Sequence, residues 1–148
     1  MVFTSKLAQL KPKVKILDRI SADVADIKPK VKFLWEQLVT TSRSPQALNE
    51  RGNQILAESG IKELVDQKLP ELLEVINAKQ PQNAYQVQEY AREAMSQLKN
   101  DLVLSSQLQQ GAFNTGADVD AVLLVGSIYL RDLVLPKLNF KLEDIKDQ

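Results

Sequence analysis

The sequence predicts an all-α protein, an up-and-down bundle of about five helices with an apolar, buried C-terminal helix. Glycine is scarce, with five residues in 148, and no segment alternates β-branched and polar residues as a half-buried strand does. Leu, Gln, Glu, Lys and Ala dominate the composition, and these residue types favour helices. The length suffices for one domain with a sizeable core. We expect this domain to span residues 1–136, with residues 137–148 forming a C-terminal tail or a short docking helix.

The first predicted helix spans residues 5–39 and carries a coiled-coil seam. Apolar residues recur along it at every seventh position: Leu10, Leu17, Val24, Val31 and Leu38. Three residues after the later members come Ile20, Ile27 and Leu34, which gives an a/d pattern sustained over four heptads. Pro12 and Pro29 fall at solvent-facing heptad positions, so we expect a kink that leaves the apolar face continuous. The alternative is that Pro29 begins a second helix.

Turn and cap residues delimit the second and third predicted helices. Ser44 and Pro45 predict the start of the second helix, with Ser as the N-cap and Pro at the first helical position. This helix runs to Glu58, and Ser59-Gly60 closes it. The third helix spans residues 61–78, and Pro70 within it predicts a kink or a break. Its apolar face comprises Ile61, Leu64, Val65, Leu69, Leu72, Leu73 and Ile76.

The fourth predicted helix begins at Asn83, where Gln86 three residues later completes a capping-box pattern. It continues to Gly111, and residues 111–116 are expected to form a turn-rich loop. The apolar residues along one face of this helix are Ala84, Val87, Ala91, Ala94, Leu98, Leu102 and Leu108.

The fifth predicted helix, residues 117–135, is apolar nearly all round, and Pro136 ends it. A helix without a polar face is buried on all sides, so we place it at the centre of the bundle. Arg131, near its end, suits the negative end of the helix dipole. Gly126-Ser127 predicts the close approach of another helix, with a small apolar ligand pocket as the alternative.

The absence of histidine and cysteine excludes several kinds of catalytic site. Such a chain has no imidazole general base and no Ser-His-Asp triad. It also has no thiolate nucleophile, no disulfide and no zinc–thiolate site. The remaining acids, lysines and hydroxyls form no recognised catalytic spacing, and no cofactor is expected.

A repeated basic pentapeptide marks the candidate interaction surface. Lys-Pro-Lys-Val-Lys occurs at residues 11–15 and again at 28–32, and an aromatic pair follows the second copy. Residues 1–32 carry a net charge of +5, which the remainder of the chain balances to zero. The positive charge of residues 1–32 favours an acidic protein partner. The zero net charge of the whole chain argues against broad nucleic-acid binding. The candidate surface consists of Lys11, Lys13, Lys15, Lys28, Lys30, Lys32 and Trp35.

These features predict a non-enzymatic helical interaction module, an adaptor, complex subunit or regulatory protein, located in the cytoplasm. The seam of the first helix also favours a homodimer. One alternative is a protein that binds a membrane surface through the basic segment, or inserts its apolar fifth helix. The other is a magnesium-dependent nucleotide phosphohydrolase that uses carboxylates alone. Its metal ligands would be Glu71, Glu74, Glu89 and Glu93.

Overall fold

The structure is a computed structural model that describes residues 35–41 and 45–145. The heptad seam from Leu10 to Leu34 and the basic pentapeptides lie outside these residues. Residues 35–39 are helical, and short 3₁₀ turns occur at Leu98–Asn100 and Leu142–Asp144. Five longer helices follow one another: α1 (Glu50–Glu58), α2 (Ile61–Ala78), α3 (Ala84–Gln97), α4 (Leu102–Thr115) and α5 (Val119–Lys137). The predicted all-α fold is confirmed.

Helix α5 contacts each of the other four helices. Its buried residues include Val122, Val125, Leu130 and Leu135, which point in different directions around the helix, so little of its circumference faces water. A helix with one packed face needs apolar residues only along one stripe. Apolar residues all round, as in α5, are typical of a helix that is packed against other helices on all sides. The other helices contribute Ile55, Ile61, Val65, Ile76, Val87, Ala91, Met95 and Leu108 to the same core.

Helix α2 has the predicted bounds and the predicted buried face. Gly60, at φ +85°, takes the left-handed conformation before its first residue, as glycine does without a steric penalty. Helix α2 continues through Pro70, which is exposed, so of the predicted kink or break the break is wrong. At the start of α3 the Asn83 side chain accepts a hydrogen bond from the Gln86 N–H at 2.8 Å. The Gln86 side-chain oxygen accepts a hydrogen bond from the Gln82 N–H at 2.7 Å. In a capping box the N–H of Asn83, one residue later, would be the donor.

The predicted fourth helix is in fact two helices. A 3₁₀ turn at Leu98–Asn100 follows α3, and Asp101 then caps a new helix. The Asp101 carboxylate accepts hydrogen bonds from the N–H groups of Val103 at 2.9 Å and Leu104 at 3.1 Å. Because the break changes the direction in which later side chains face, Leu102 is 89 % exposed instead of buried.

The predicted loop at residues 111–116 is also wrong. Gly111 lies inside α4, and the helix ends at Thr115 with Gly116 as its C-cap, where φ is +70°. Gly111 is buried, and a Cβ atom at this position would overlap the carbonyl oxygen of Ser59. Glycine here permits contact between α4 and the turn after α1.

Helix α1 begins five residues later than predicted. Pro45 lies in a bend, and Asn49 is the N-cap, accepting from the Gly52 N–H at 2.9 Å. The residues just before α1 pair with the preceding segment through an isolated bridge between Thr40 and Leu48. This pairing satisfies backbone groups that a longer helix would have used.

The buried residue at the end of the predicted seam is Val39, one position after the predicted Leu38. Leu38 was expected to be buried, but it is 56 % exposed, whereas Val39 is fully buried. The carbonyl oxygen of Val39 lies against the backbone of Gly52, where a Cβ atom would overlap it. This close contact sets which side of the 35–39 segment faces the bundle.

The small residues of α5 allow close packing between helices. A Cβ atom built on Gly126 would lie 2.7 Å from side-chain carbons of both Ile61 and Met95. Helices α2 and α3 therefore meet α5 at this point. The lining of the cleft that the structure contains, described below, does not include Gly126.

The C-terminal segment docks on the bundle as far as Ile145, which is buried. Helix α5 extends through Pro136 and ends at Lys137. Leu138, Phe140 and Leu142 then pack against the core. The described part of the tail therefore contributes to the core through apolar side chains.

Tyr129 links α5 to α2 and gives a pH-dependent contribution to stability. Its hydroxyl donates a hydrogen bond to the Asp66 carboxylate at 2.7 Å. This bond, together with burial and the negative charge of Asp66, raises the pKa of Tyr129 to about 12 from its ordinary value of 10.0. The contribution is therefore complete below pH 10 and is lost as the pH rises towards 12.

We expect Tyr129→Phe to lower the free energy of unfolding by about 1 kcal/mol at pH 8.5, because one charge-assisted hydrogen bond is removed. The difference from the wild type should shrink when urea unfolding is repeated at pH 11. A difference that stays the same at both pH values would contradict this assignment.

Candidate interaction surface

Helix α4 carries no charged residue. Sixteen successive residues, 102–117, contain no Asp, Glu, Lys or Arg, in a chain that is 26 % charged. The carboxylates at either end of this stretch both act as helix caps. Asp101 caps α4, and Asp118 accepts a hydrogen bond from the Ala121 N–H at 2.8 Å to cap α5. The uncharged stretch therefore coincides with one structural element.

The outer face of α4 exposes large apolar side chains at both ends. Leu102 is 89 % exposed and Phe113 is 82 % exposed, and Val103 beside Leu102 is 66 % exposed. Ser106 and Gln109 lie between these ends and are also exposed. We define the α4 face as Leu102, Ser106, Gln109 and Phe113, with Val103 at its edge.

The spacing of the α4 face places its members in one line. Their separations are four, three and four residues. At about 100° per residue, the four side chains fall within roughly 60° of the helix circumference. The same spacing forms the a/d seam of a coiled coil, which is a surface that normally faces another helix.

The opposite side of α4 holds the face in position. Leu108, Ala112 and Thr115 are buried. Arg51 from α1 donates a hydrogen bond to the Thr115 carbonyl at 2.6 Å, which satisfies a carbonyl group at the end of the helix. With the Asp101 cap at one end and the Gly111 contact near the other, α4 is anchored along its length.

A cleft of about 300 Å³ lies beside α4, between it and the start of α2. Its lining is mixed, with Ile61, Leu64 and Leu108 as the apolar part. Glu63 is the one charged side chain among the residues that line it. The other polar side chains of the lining are Ser59, Gln67 and Gln107.

The lysines of the predicted interaction surface, Lys11, Lys13, Lys15, Lys28, Lys30 and Lys32, lie outside the described residues. Trp35, the remaining member, is half-buried and packs against the core of the bundle. Part of its ring is therefore used in folding.

The four glutamates predicted as a magnesium site do not come together. Among residues 35–41 and 45–145, no group of three or more carboxylates could hold a metal ion. Glu93 forms an ion pair with Lys79, Glu89 lies 3.9 Å from Arg92, and Glu71 lies 3.8 Å from Lys68. These acids serve as partners of nearby cations, so the proposed ligand set is wrong.

Arg131, which the sequence analysis placed near the negative end of the helix dipole, has a fully buried side chain. Its Nη1 donates to the Gln88 side chain at 2.9 Å. Its Nε and Nη2 donate to a single oxygen of Asp132, at 2.9 and 2.8 Å. These bonds connect α5 to α3 and use three of the five N–H donors of the guanidinium.

Within the part of the chain that the structure describes, no helix is both long enough and apolar enough to cross a membrane. Helix α5, the predicted insertable element, is packed against all four other helices. Inserting it into a bilayer would require the core to open.

No protein-family model, curated protein or solved structure matches this chain.

The α4 face was not predicted from the sequence, although one signal for it was present. Sixteen uncharged residues between two aspartates are unusual in a chain of this composition. Such a stretch would ordinarily be buried, as α5 is. Only the break at Asp101 and the burial of Leu108 establish which of its residues face outwards.

Proposed function

We propose that this protein is a non-enzymatic helical interaction module, an adaptor, complex subunit or regulatory protein, that binds another protein surface through the α4 face. The observation that carries the proposal is the exposure of Leu102 and Phe113, at 89 % and 82 %, on a helix without charge.

The composition of the α4 face fits the centre of a protein interface. Such centres are depleted in charged residues and enriched in aromatic ones, and their binding energy is concentrated in a few large side chains. Covering apolar surface stabilises a complex by about 25 cal/mol for each Å² removed from water. Leu102 and Phe113 are the side chains of α4 with the most apolar surface to cover.

The rigidity of α4 also supports the proposal. A surface that is already ordered loses little conformational entropy when it binds. The Asp101 cap, the Arg51 hydrogen bond and the buried side of α4 keep the face ordered before a partner arrives.

The basic N-terminal segment remains part of the proposal as a second surface, suited to an acidic partner through its charge of +5. We propose the cytoplasm as the location, with which a chain without cysteine is compatible.

The test is affinity purification of the full-length chain from its own cells with quantitative mass spectrometry. We expect Leu102→Glu/Phe113→Glu to lose about 90 % of the proteins that co-purify in stoichiometric amounts, counting untagged copies of the chain itself. Both positions are exposed, so the variant should melt at the wild-type temperature.

The matched control is Leu38→Glu/Val75→Glu, which adds the same charge and also replaces two exposed apolar residues, 56 % and 48 % accessible, outside α4. This control should retain the wild-type set of proteins. Equal recovery with all three chains would overturn the proposal.

A further inference from the structure

We propose that the partner of the α4 face is a second copy of this chain, and that the two α4 helices pair antiparallel about a two-fold axis that crosses the face between Ser106 and Gln109. This inference rests on the proposed function and names the occupant of the same surface. Three features of α4 carry it: its spacing, its lack of charge and the placement of its polar residues.

The spacing of the α4 face is the same in both directions along the helix. Separations of four, three and four residues become four, three and four when the helix is reversed. A two-fold axis that crosses the face halfway between Ser106 and Gln109 therefore sets Leu102 opposite the partner's Phe113. It also sets Ser106 opposite the partner's Gln109. This is the a-to-d pairing of an antiparallel coiled coil, and two-fold interfaces require such self-complementary surfaces.

The lack of charge removes the usual obstacle to self-pairing. A surface with a net charge repels its own copy, whereas a dissimilar partner can carry the opposite charge. Residues 102–117 contribute no charge to either side of the proposed contact.

The polar residues lie where they can fix the register. Ser106 and Gln109 occupy the middle of the face and are exposed. Opposite one another in the antiparallel pair, they offer a hydroxyl and an amide for hydrogen bonding. Polar residues within a seam specify register and orientation at some cost in stability.

The size of the face sets the expected strength. Helix α4, with 14 residues, is about 21 Å long. One helix pair of this length lies at the small end of specific interfaces, so we expect a reversible dimer that dissociates on dilution through the micromolar range.

The test is sedimentation equilibrium of the full-length protein between about 10 and 500 µM, a range that covers weak dimers. We expect the wild type to approach the dimer mass. Leu102→Glu/Phe113→Glu should weaken association by about tenfold or more, since apolar contacts are lost and like charges oppose one another.

The decisive variant is Leu102→Glu/Phe113→Lys, which replaces the same two residues. In the antiparallel pair, each introduced carboxylate faces an introduced ammonium group of the other copy, so association should recover relative to Leu102→Glu/Phe113→Glu. In a parallel pair, like charges would meet. Recovery should also weaken as salt is added, because exposed ion pairs are screened over about 10 Å at 0.1 M ionic strength.

Three results would overturn the inference. A wild type that stays monomeric excludes the second copy, and the proposed function still stands if the purification depends on Leu102 and Phe113. Equally weak association of the two double variants excludes the antiparallel geometry. If Leu102→Glu/Phe113→Glu lowers the melting temperature but leaves the sedimentation mass equal to that of the wild type, another part of the same chain covers α4. Both proposals then fail.

Discussion

Replacing Asp132 by Ala is expected to lower the free energy of unfolding by about 2–3 kcal/mol, although Asp132 lies at the surface. Its carboxylate is the acceptor for two N–H groups of Arg131, whose side chain is fully buried. Removing one partner of a buried pair ordinarily costs about 3–5 kcal/mol, because a charge is left without compensation. The Asp132 side chain is 47 % exposed, so water can hydrate part of the guanidinium and reduce the loss.

The same substitution should have a much smaller effect in an Arg131→Met background. Met fills part of the same volume without a charge, so the Asp132 carboxylate no longer has a buried cation to compensate. Urea unfolding of the four proteins in this double-mutant cycle measures the difference. Equal losses in both backgrounds would mean that Asp132 acts independently of Arg131.

Gly111→Ala is expected to destabilise the protein by about 1–3 kcal/mol, the range typical of overpacking. Helix propensity alone predicts the opposite sign, because Ala is better than Gly by about 1 kcal/mol inside a helix. The added Cβ would overlap the carbonyl oxygen of Ser59. That oxygen belongs to the backbone and cannot rotate away, so we expect the steric cost to exceed the gain in propensity.

Gln110→Ala provides the control for helix propensity. This residue precedes Gly111 on α4, is exposed, and loses only a surface hydrogen bond to Asn114. Its free energy of unfolding should change by no more than about 0.5 kcal/mol. If Gly111→Ala were as stable as Gln110→Ala, the contact between α4 and Ser59 would not constrain the fold.

Helix ends that depend on local chemistry could be predicted from the sequence. Gly60 and Asn83 were assigned correctly because a left-handed glycine and an asparagine cap act within a few residues of themselves. The apolar face of α2 was also predictable, since its period extends over the whole helix.

Features that depend on contacts between distant residues could not be predicted in this way. Leu98 and Leu102 continue the helical period of α3, so the period concealed the break at Asp101. Gly111 resembled a helix terminator, but its role is contact with Ser59, 52 positions earlier. The one-residue displacement between Leu38 and Val39 likewise depends on Gly52.

The α4 face follows from the same break. Had α3 continued without interruption, Leu102 would have joined the apolar side of a longer helix. The 3₁₀ turn and the Asp101 cap turn it outwards instead. The break at Asp101 exposes Leu102, but the apolar period of the sequence does not reveal this break. The candidate site therefore could not be predicted from the sequence.

The contacts of three glycines also give a means of recognising relatives of this protein. Gly52 and Gly111 each lie against a backbone carbonyl, and Gly126 lies where α2 and α3 meet α5. Substitutions at apolar core positions can compensate one another through repacking, but a side chain at Gly52 or Gly111 has no space to enter. Descendants that keep the fold must therefore retain Gly52 and Gly111 in corresponding positions, even after the sequence around them has diverged.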